Sequence, residues 1–473
     1  MIFDSTVFVS ENIDCVQIIH FMKMCRKNEV DVHSFEIIHN GNIVVRIAPA
    51  PYSFEYKQQV YSLSKSFTST AIGFLVDEGK VNIDDRLIDI FSDIIPDKVG
   101  INAEKMCVKH LLSMNTGHKK CILSDIRNKV NPVKSFLECE PEFEPGTHFC
   151  YNNAATFMLS EIVRRYTDMT VFDFLEQRLF KPLGINNAHW NTFANGNSQG
   201  AVGLHISTDD IAKLGLLYLD KGVFNGKRLL SEKWVNTATR IWSDNSNNGT
   251  PDWTSGYGFQ FWKNYYEGFR GDGAYGQLCM VFPSKNMIFA MEANTENMQK
   301  EIDLIYELID NLYGDSNIGL EGLYSYIDEY NEPHKYCYGE IPDSIYKCEK
   351  NEFGITVVSI LEENDCIKLF FSDGVEYQKM IFGKNRFCEN RIVLKKFKPT
   401  RENLAGHNEK ELVHFAAHCT FEDDELHLYF NYLDNPHVDE YICRFNKSKF
   451  EMKRSKKFSF CYNETISGIS LDI

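Results

Sequence analysis

The stretch Val60-Tyr61-Ser62-Leu63-Ser64-Lys65-Ser66-Phe67-Thr68 decides how this chain is read. Phe67, Ala71, Phe74 and Leu75 recur at helical spacing and Gly79 supplies a stop, so a helix is expected from Ser62 to about Glu78. On that helix Ser62 and Lys65 lie one turn apart on one face. A hydroxyl so placed can give its proton to a neighbouring amine or phenolate and become a nucleophile. Downstream, Tyr151-Asn152-Asn153 follows the turn Glu144-Pro145-Gly146-Thr147, which would present a phenol at the start of another helix. Together the two motifs point to serine acyl transfer without a histidine triad.

Both motifs recur elsewhere, as Ser344-Ile345-Tyr346-Lys347 and Tyr429-Phe430-Asn431, at a similar separation. Context separates them. Ser344 follows Pro342-Asp343 and enters a strand-like run, while Tyr429 sits in Leu426-His427-Leu428-Tyr429-Phe430, where tyrosine is simply a good strand residue. Ser62 instead heads a long helix, whose free N–H groups and positive dipole end favour developing negative charge. The plain alternatives are a helix cap for Ser62, a solvated position for Lys65 and a turn-plus-cap for Tyr151-Asn152-Asn153. Each is ordinary alone; the three in this order argue for chemistry.

Working outward, Phe35 to Ile47 reads as two strands around Asn40-Gly41, a strong hairpin signal. From about Asp84 to Thr239 the pattern is mainly helical; strand character returns at Tyr257–Trp262, Leu278–Phe282 and Met287–Ala293, and a helix follows over Met298–Leu312. This describes an α/β domain over residues 1–315. Beyond Gly314-Asp315-Ser316-Asn317 come short alternating runs: Gly354–Leu361, Cys366–Ser372, His414–Phe421, Glu425–Tyr432 and Glu440–Phe445. Residues 316–473 are therefore expected to form an all-β barrel or sandwich.

With 473 residues, 43% apolar and 13% aromatic, the chain can bury full-sized cores. A formal charge of −16, spread along the chain, disfavours nucleic acid as a partner. No apolar run is long enough for a membrane span, and the start at Met1 lacks a secretory pattern. The 14 cysteines are scattered without a C-x-x-C pair, which reads as reduced thiols in a cytoplasmic protein. His414, His418 and Cys419 have metal-ligand chemistry, but on a strand the two histidines stand about 13 Å apart, too far for one ion. No phosphate loop, dinucleotide fingerprint or nucleophile elbow is present, so neither cofactor nor metal is expected.

These residues resemble the serine β-lactamase and penicillin-binding-protein superfamily, in its class C-like branch of esterases, D-aminopeptidases and amide hydrolases. Val60 to Thr68 is similar to its nucleophile box, and Val108-Lys109-His110-Leu111-Leu112-Ser113-Met114-Asn115-Thr116-Gly117 to its "HLL…TSG" element. Pro145-Gly146-Thr147-His148-Phe149-Cys150-Tyr151-Asn152-Asn153, Pro182-Leu183-Gly184-Ile185 and Ser207-Thr208-Asp209-Asp210-Ile211-Ala212-Lys213 resemble further family elements in order. The resemblance implies a β-lactamase/transpeptidase-like fold, an antiparallel sheet flanked by helices plus a helical subdomain. It also implies a lipocalin-like C-terminal appendage.

For the site, the resemblance implies an acyl-enzyme on Ser62, with Lys65 and Tyr151 sharing proton transfer; which of them is the base stays open. Asn153 would hold the substrate carbonyl or amide and orient Lys65. The third box falls at Gly271-Asp272-Gly273-Ala274-Tyr275-Gly276-Gln277, with the N–H groups of Ser62 and Ala274 as oxyanion hole and glycines letting the strand lie close to substrate. The family's usual Lys or His is missing there, and Arg270 is the nearby cation. The expected substrate is accordingly a small ester, amide or peptide, including D-residue peptides; a β-lactamase, a D,D-peptidase or a non-catalytic binding paralogue is the alternative. Homo-oligomerisation is left open.

Overall fold

The computed structural model describes residues 3–314, 319–330, 332–333, 336, 339, 341–351, 354–393, 412–446, 448–455 and 465–471. Two compact units divide the chain. One comprises Phe8–Ile47 and Gln59–Leu320; the other comprises Met1–Val7, Ala48–Gln58 and Glu321–Ile473. Asp315 to Asn317, where the sequence marks a change of character, lie outside the described residues.

The first unit is built on a sheet of seven strands: β1 (Thr6–Val9), β2 (Asp31–His39), β3 (Asn42–Ala48), β4 (Trp262–Lys263), β5 (Phe269–Gly273), β6 (Gln277–Phe282) and β7 (Met287–Asn294), in the order β1-β3-β2-β7-β6-β5-β4. Asn40 (φ 52°) and Gly41 (φ 76°) make the β2–β3 turn, both in the left-handed region that an Asn-Gly hairpin needs. One face of the sheet packs on helices α1 (Cys15–Lys27) and α5 (Met298–Asp310) through Phe21, Phe35 and Phe289, whose rings lie 5.4–6.0 Å apart. The other face meets α4 (Thr208–Leu219). There a side chain at Gly215 would sit 2.9 Å from Ile288, so glycine sets the close approach.

Between the two halves of the sheet runs the helical subdomain, with α2 (Ser64–Asp77) and α3 (Asn153–Thr167) in one continuous core. α2 ends as expected, with Gly79 at φ 68°. Its start differs from the sequence expectation: Ser62 lies in a 3-10 turn, Tyr61–Leu63, that leads into α2. α2 is also buried from Ser64 to Leu75 on all sides, not on one apolar stripe. Its hydroxyls make this affordable: Ser66, Thr68 and Ser69 donate to the carbonyls of Gln260, Gly200 and Phe259 at 2.7–2.9 Å.

The expected strand Tyr257–Trp262 is reduced to Trp262–Lys263. Gln260 turns to φ 64°, and its side chain donates to Leu111 and Leu112 carbonyls while accepting from Thr156, which breaks the extended run.

In the second unit, nine strands close a barrel: Tyr377–Lys384, Cys366–Ser372, Val357–Glu362, Ser344–Cys348, Thr465–Ser470, Lys449–Arg454, Val438–Asn446, Glu425–Tyr432 and Leu412–Glu422. Closure is a short parallel pairing of Gly383 with His418 and Lys384 with Cys419, and Cys388–Val393 adds to the edge of Leu412–Glu422. Ser344 to Lys347 and Tyr429 thus lie on strands, as their context demanded. Inside the barrel the Arg454 guanidinium donates to Asp439 at 3.0 Å, and Tyr432 donates to the same carboxylate at 2.9 Å. Among the described residues no helix is long and apolar enough to cross a membrane.

Candidate active site

Three segments converge on Ser62. Tyr61, the residue before it, holds φ at 44°, a left-handed conformation that is costly for an aromatic residue. The Tyr61 carbonyl is held by the Ser64 hydroxyl at 2.6 Å, and that hydroxyl also accepts from the Leu204 N–H at 3.2 Å. The nucleophile candidate is thereby fixed on a strained turn braced by its own helix.

Lys65 is 1% exposed, with Nζ 2.9 Å from Ser62 Oγ and 2.9 Å from the Ala201 carbonyl. The second partner of Lys65 is Ala201; among the described residues no hydrogen bond joins Lys65 to Asn153. Burial lowers the Lys65 ammonium from 10.5 to about 7, with Cys121 and Asp272 opposing the shift. Its Nζ also lies 4.8 Å from the centre of the Tyr151 ring.

Tyr151 precedes α3, whose first turn is capped by Asn152: its Oδ1 accepts from the N–H groups of Ala154 (3.0 Å) and Ile122 (3.3 Å). The Tyr151 ring stacks on Trp262 at 5.4 Å, and its hydroxyl lies toward Ser62. Burial pushes this phenol well above its ordinary value, the Asp272 charge adds to the shift, and the Ser62 hydroxyl opposes it. Lysine and tyrosine are thus driven apart, toward neutral amine and neutral phenol. Asn153 opens α3 with an enclosed Oδ1 that has no hydrogen-bond partner among the described residues.

The third box forms the end of β5 and the turn into β6. A Cβ on Gly271 would lie 2.4 Å from Leu63, and one on Gly273 2.1 Å from the Val60 carbonyl. The glycines therefore let the strand press on the nucleophile segment itself, where the sequence had suggested proximity to substrate. Ala274 follows, and Tyr275 rests on Tyr61 at 5.2 Å. Among the described residues neither the Ser62 nor the Ala274 N–H has a protein acceptor.

Arg270 is fully enclosed. It donates to Asp272 (3.0 Å), the Asp252 carbonyl (2.9 Å) and the Lys263 carbonyl (3.3 Å), and its guanidinium lies 4.6 Å from the Trp253 ring centre. Arg270 is thus occupied by protein partners. Burial raises the Asp272 carboxyl, opposed by Arg270, Lys65 and a bond from Trp262. His110 serves structure: its Nδ1 accepts from the Cys107 N–H, and burial lowers it to about 4. Among the described residues no grouping of three His, Cys, Asp or Glu could hold a metal ion.

Sequence reading missed Ala201, Cys121, Trp262 and Tyr61. For Ala201 a signal existed: Gly200 and Gly203 flank it, both at positive φ in a run of small residues. Nothing in the residue type of Tyr61 announces its conformation.

The Beta-lactamase family profile matches residues 32–311. The chain belongs to this family. Every site residue considered above lies inside the matched Beta-lactamase region. A D-aminopeptidase from Brucella anthropi is 24% identical over 173 residues, 32% of this chain and 31% of that one. A 6-aminohexanoate-dimer hydrolase from Paenarthrobacter ureafaciens is 23% identical over 240 residues, 44% of this chain and 57% of that one. The chain thus spans less than two thirds of the length of these relatives. An octameric penicillin-binding protein homologue from Pyrococcus abyssi shares the fold at a TM-score of 0.50 and 15% identity, covering 95% of this chain and 99% of that one.

Proposed function

We propose that the protein is a serine hydrolase of the class C-like branch that cleaves small esters or amides through an acyl-enzyme on Ser62. The observation that carries this reading is the buried Lys65 amine, lowered to about 7, at 2.9 Å from the Ser62 hydroxyl. At neutral pH about half of such an amine is unprotonated and can accept the Ser62 proton as Oγ attacks the carbonyl carbon. The N–H groups of Ser62 and Ala274 receive the developing oxyanion. Tyr151, kept protonated, passes a proton to the departing alkoxide or amine and is recharged from Lys65. Water then attacks the acyl carbon, its proton returning through the same pair, and Ser62 is released.

The enclosed Asn153 Oδ1 is suited to a substrate amide N–H. The occupied Arg270 supports substrates that lack a carboxylate beside the scissile bond, and so weighs against β-lactams and D,D-peptides. The D-aminopeptidase and amide-hydrolase relatives favour amides, including peptides with D-residues.

The test is labelling of the protein by a fluorophosphonate probe and by a fluorescent penicillin, against Ser62→Ala. Phosphonate labelling that vanishes in the variant, with little penicillin labelling, is expected. Absence of both labels in the unmodified protein would end the acyl-enzyme reading. A short-chain p-nitrophenyl ester and a D-alanyl anilide then separate ester from peptide chemistry.

A further inference from the structure

Alternation along β5 sorts its side chains onto two faces. Gly271 and Gly273 press on Val60, Leu63 and Ser66; Arg270 and Asp272 lie on the face of Trp262, on which Tyr151 stacks. The two charges on that face are not equivalent. Arg270 is fully enclosed between Trp253, Asp252 and Asn264, with each end of its guanidinium spent. Asp272, 7% exposed, keeps an edge open.

The charge of Asp272 acts on Lys65, Tyr151 and Tyr257, the ionisable side chains on this side of the box. Asp272 is thus the member of the buried pair that keeps an open edge beside the Trp262–Tyr151 stack. Low-dielectric walls of Trp262, Tyr151 and Tyr257 surround it, where an unscreened charge acts strongly.

Resting on the serine-hydrolase reading, we infer that Asp272 is a specificity residue, and that the preferred substrates are esters or amides bearing an ammonium group near the scissile carbonyl. A carboxylate in the same place meets the Asp272 charge while Arg270 is held by protein partners. A neutral group falls between the two.

The experiment uses three p-nitrophenyl esters of equal acyl length, ending in an ammonium, a methyl or a carboxylate group. They are assayed at pH 8, where Lys65 is mostly neutral, with the full chain and with Asp272→Asn. The expected kcat/KM order is ammonium, methyl, carboxylate, with at least a tenfold span from first to last. Asp272→Asn is expected to shrink the ammonium-to-carboxylate ratio at least fivefold. That ratio cancels any effect of the substitution on Lys65, which serves all three esters alike.

Should Asp272→Asn not fold, because it leaves Arg270 without its partner, the three-ester order in the unmodified protein still decides. Ser62-dependent turnover with no charge preference, or a preference unchanged in Asp272→Asn, overturns this inference while sparing the hydrolase. No turnover of any ester together with no phosphonate labelling removes the hydrolase reading, and this inference with it.

Discussion

Replacing Lys65 by methionine isolates the energetic signature of a buried neutral amine. Lowering the ammonium from 10.5 to about 7 means that holding it neutral at pH 7 costs the fold about 5 kcal/mol, at 1.36 kcal/mol per tenfold. Hydrogen bonds to Ser62 and Ala201 return roughly 1 kcal/mol each. Methionine fills similar space with neither the cost nor the bonds, so Lys65→Met should stabilise the fold by about 3 kcal/mol at pH 7. The sign of the pH dependence follows. Between pH 7 and 10.5 the unfolded chain holds a proton on Lys65 that the folded chain has released, so wild-type stability climbs with pH across that window. By pH 9 the cost has fallen to about 2 kcal/mol, and the advantage of methionine should vanish. Urea unfolding at both pH values, followed by tryptophan fluorescence, measures this directly. All five tryptophans lie within Phe8–Ile47 and Gln59–Leu320, so the signal reports the catalytic unit. An equal stability difference at pH 7 and pH 9 would mean that Lys65 is charged in the fold, and the base would be lost.

Three further outcomes are expected. The value of kcat/KM for a neutral ester should rise about tenfold per pH unit up to about 7 and then level; a rise continuing to pH 10 would indicate an ordinary lysine. Tyr151→Phe keeps the stack on Trp262 but loses the hydroxyl at Ser62, so kcat should fall by about 10²–10⁴ with little change in Tm. Gly273→Ala places a methyl 2.1 Å from the Val60 carbonyl, so it should cost roughly 1–3 kcal/mol in thermal unfolding and slow phosphonate labelling of Ser62.

What was legible in the sequence was what local geometry decides. Asn40-Gly41 turns a hairpin because both residues take positive φ, and Ser62 with Lys65 meet because they stand one helical turn apart. The decoys at Ser344 and Tyr429 could be set aside for the same reason, since strand context is local. Ala201 was marked only by its flanking glycines, because it meets Lys65 across 136 residues and acts through a carbonyl that every residue possesses. The surroundings of Arg270 were hidden for a related reason: alternation paired it with Asp272 on one face, while Trp253 and Asp252 arrive from a distant loop. The full burial of α2 was masked by its own hydroxyls, whose acceptors are again distant carbonyls.

The interleaving of the two units has a consequence for biosynthesis. Residues Ala48–Gln58 belong with Glu321–Ile473, although Gln59 onward belongs to the catalytic unit. Tyr52 is buried with Phe387, Ala416 and Leu433. During translation, Gln58 is added 263 residues before Glu321. At 5–20 residues per second that is a wait of roughly 13–50 s. The segment Ala48–Gln58 thus spends that interval without its partners, with Tyr52 presented to chaperones, while the other unit is still being synthesised.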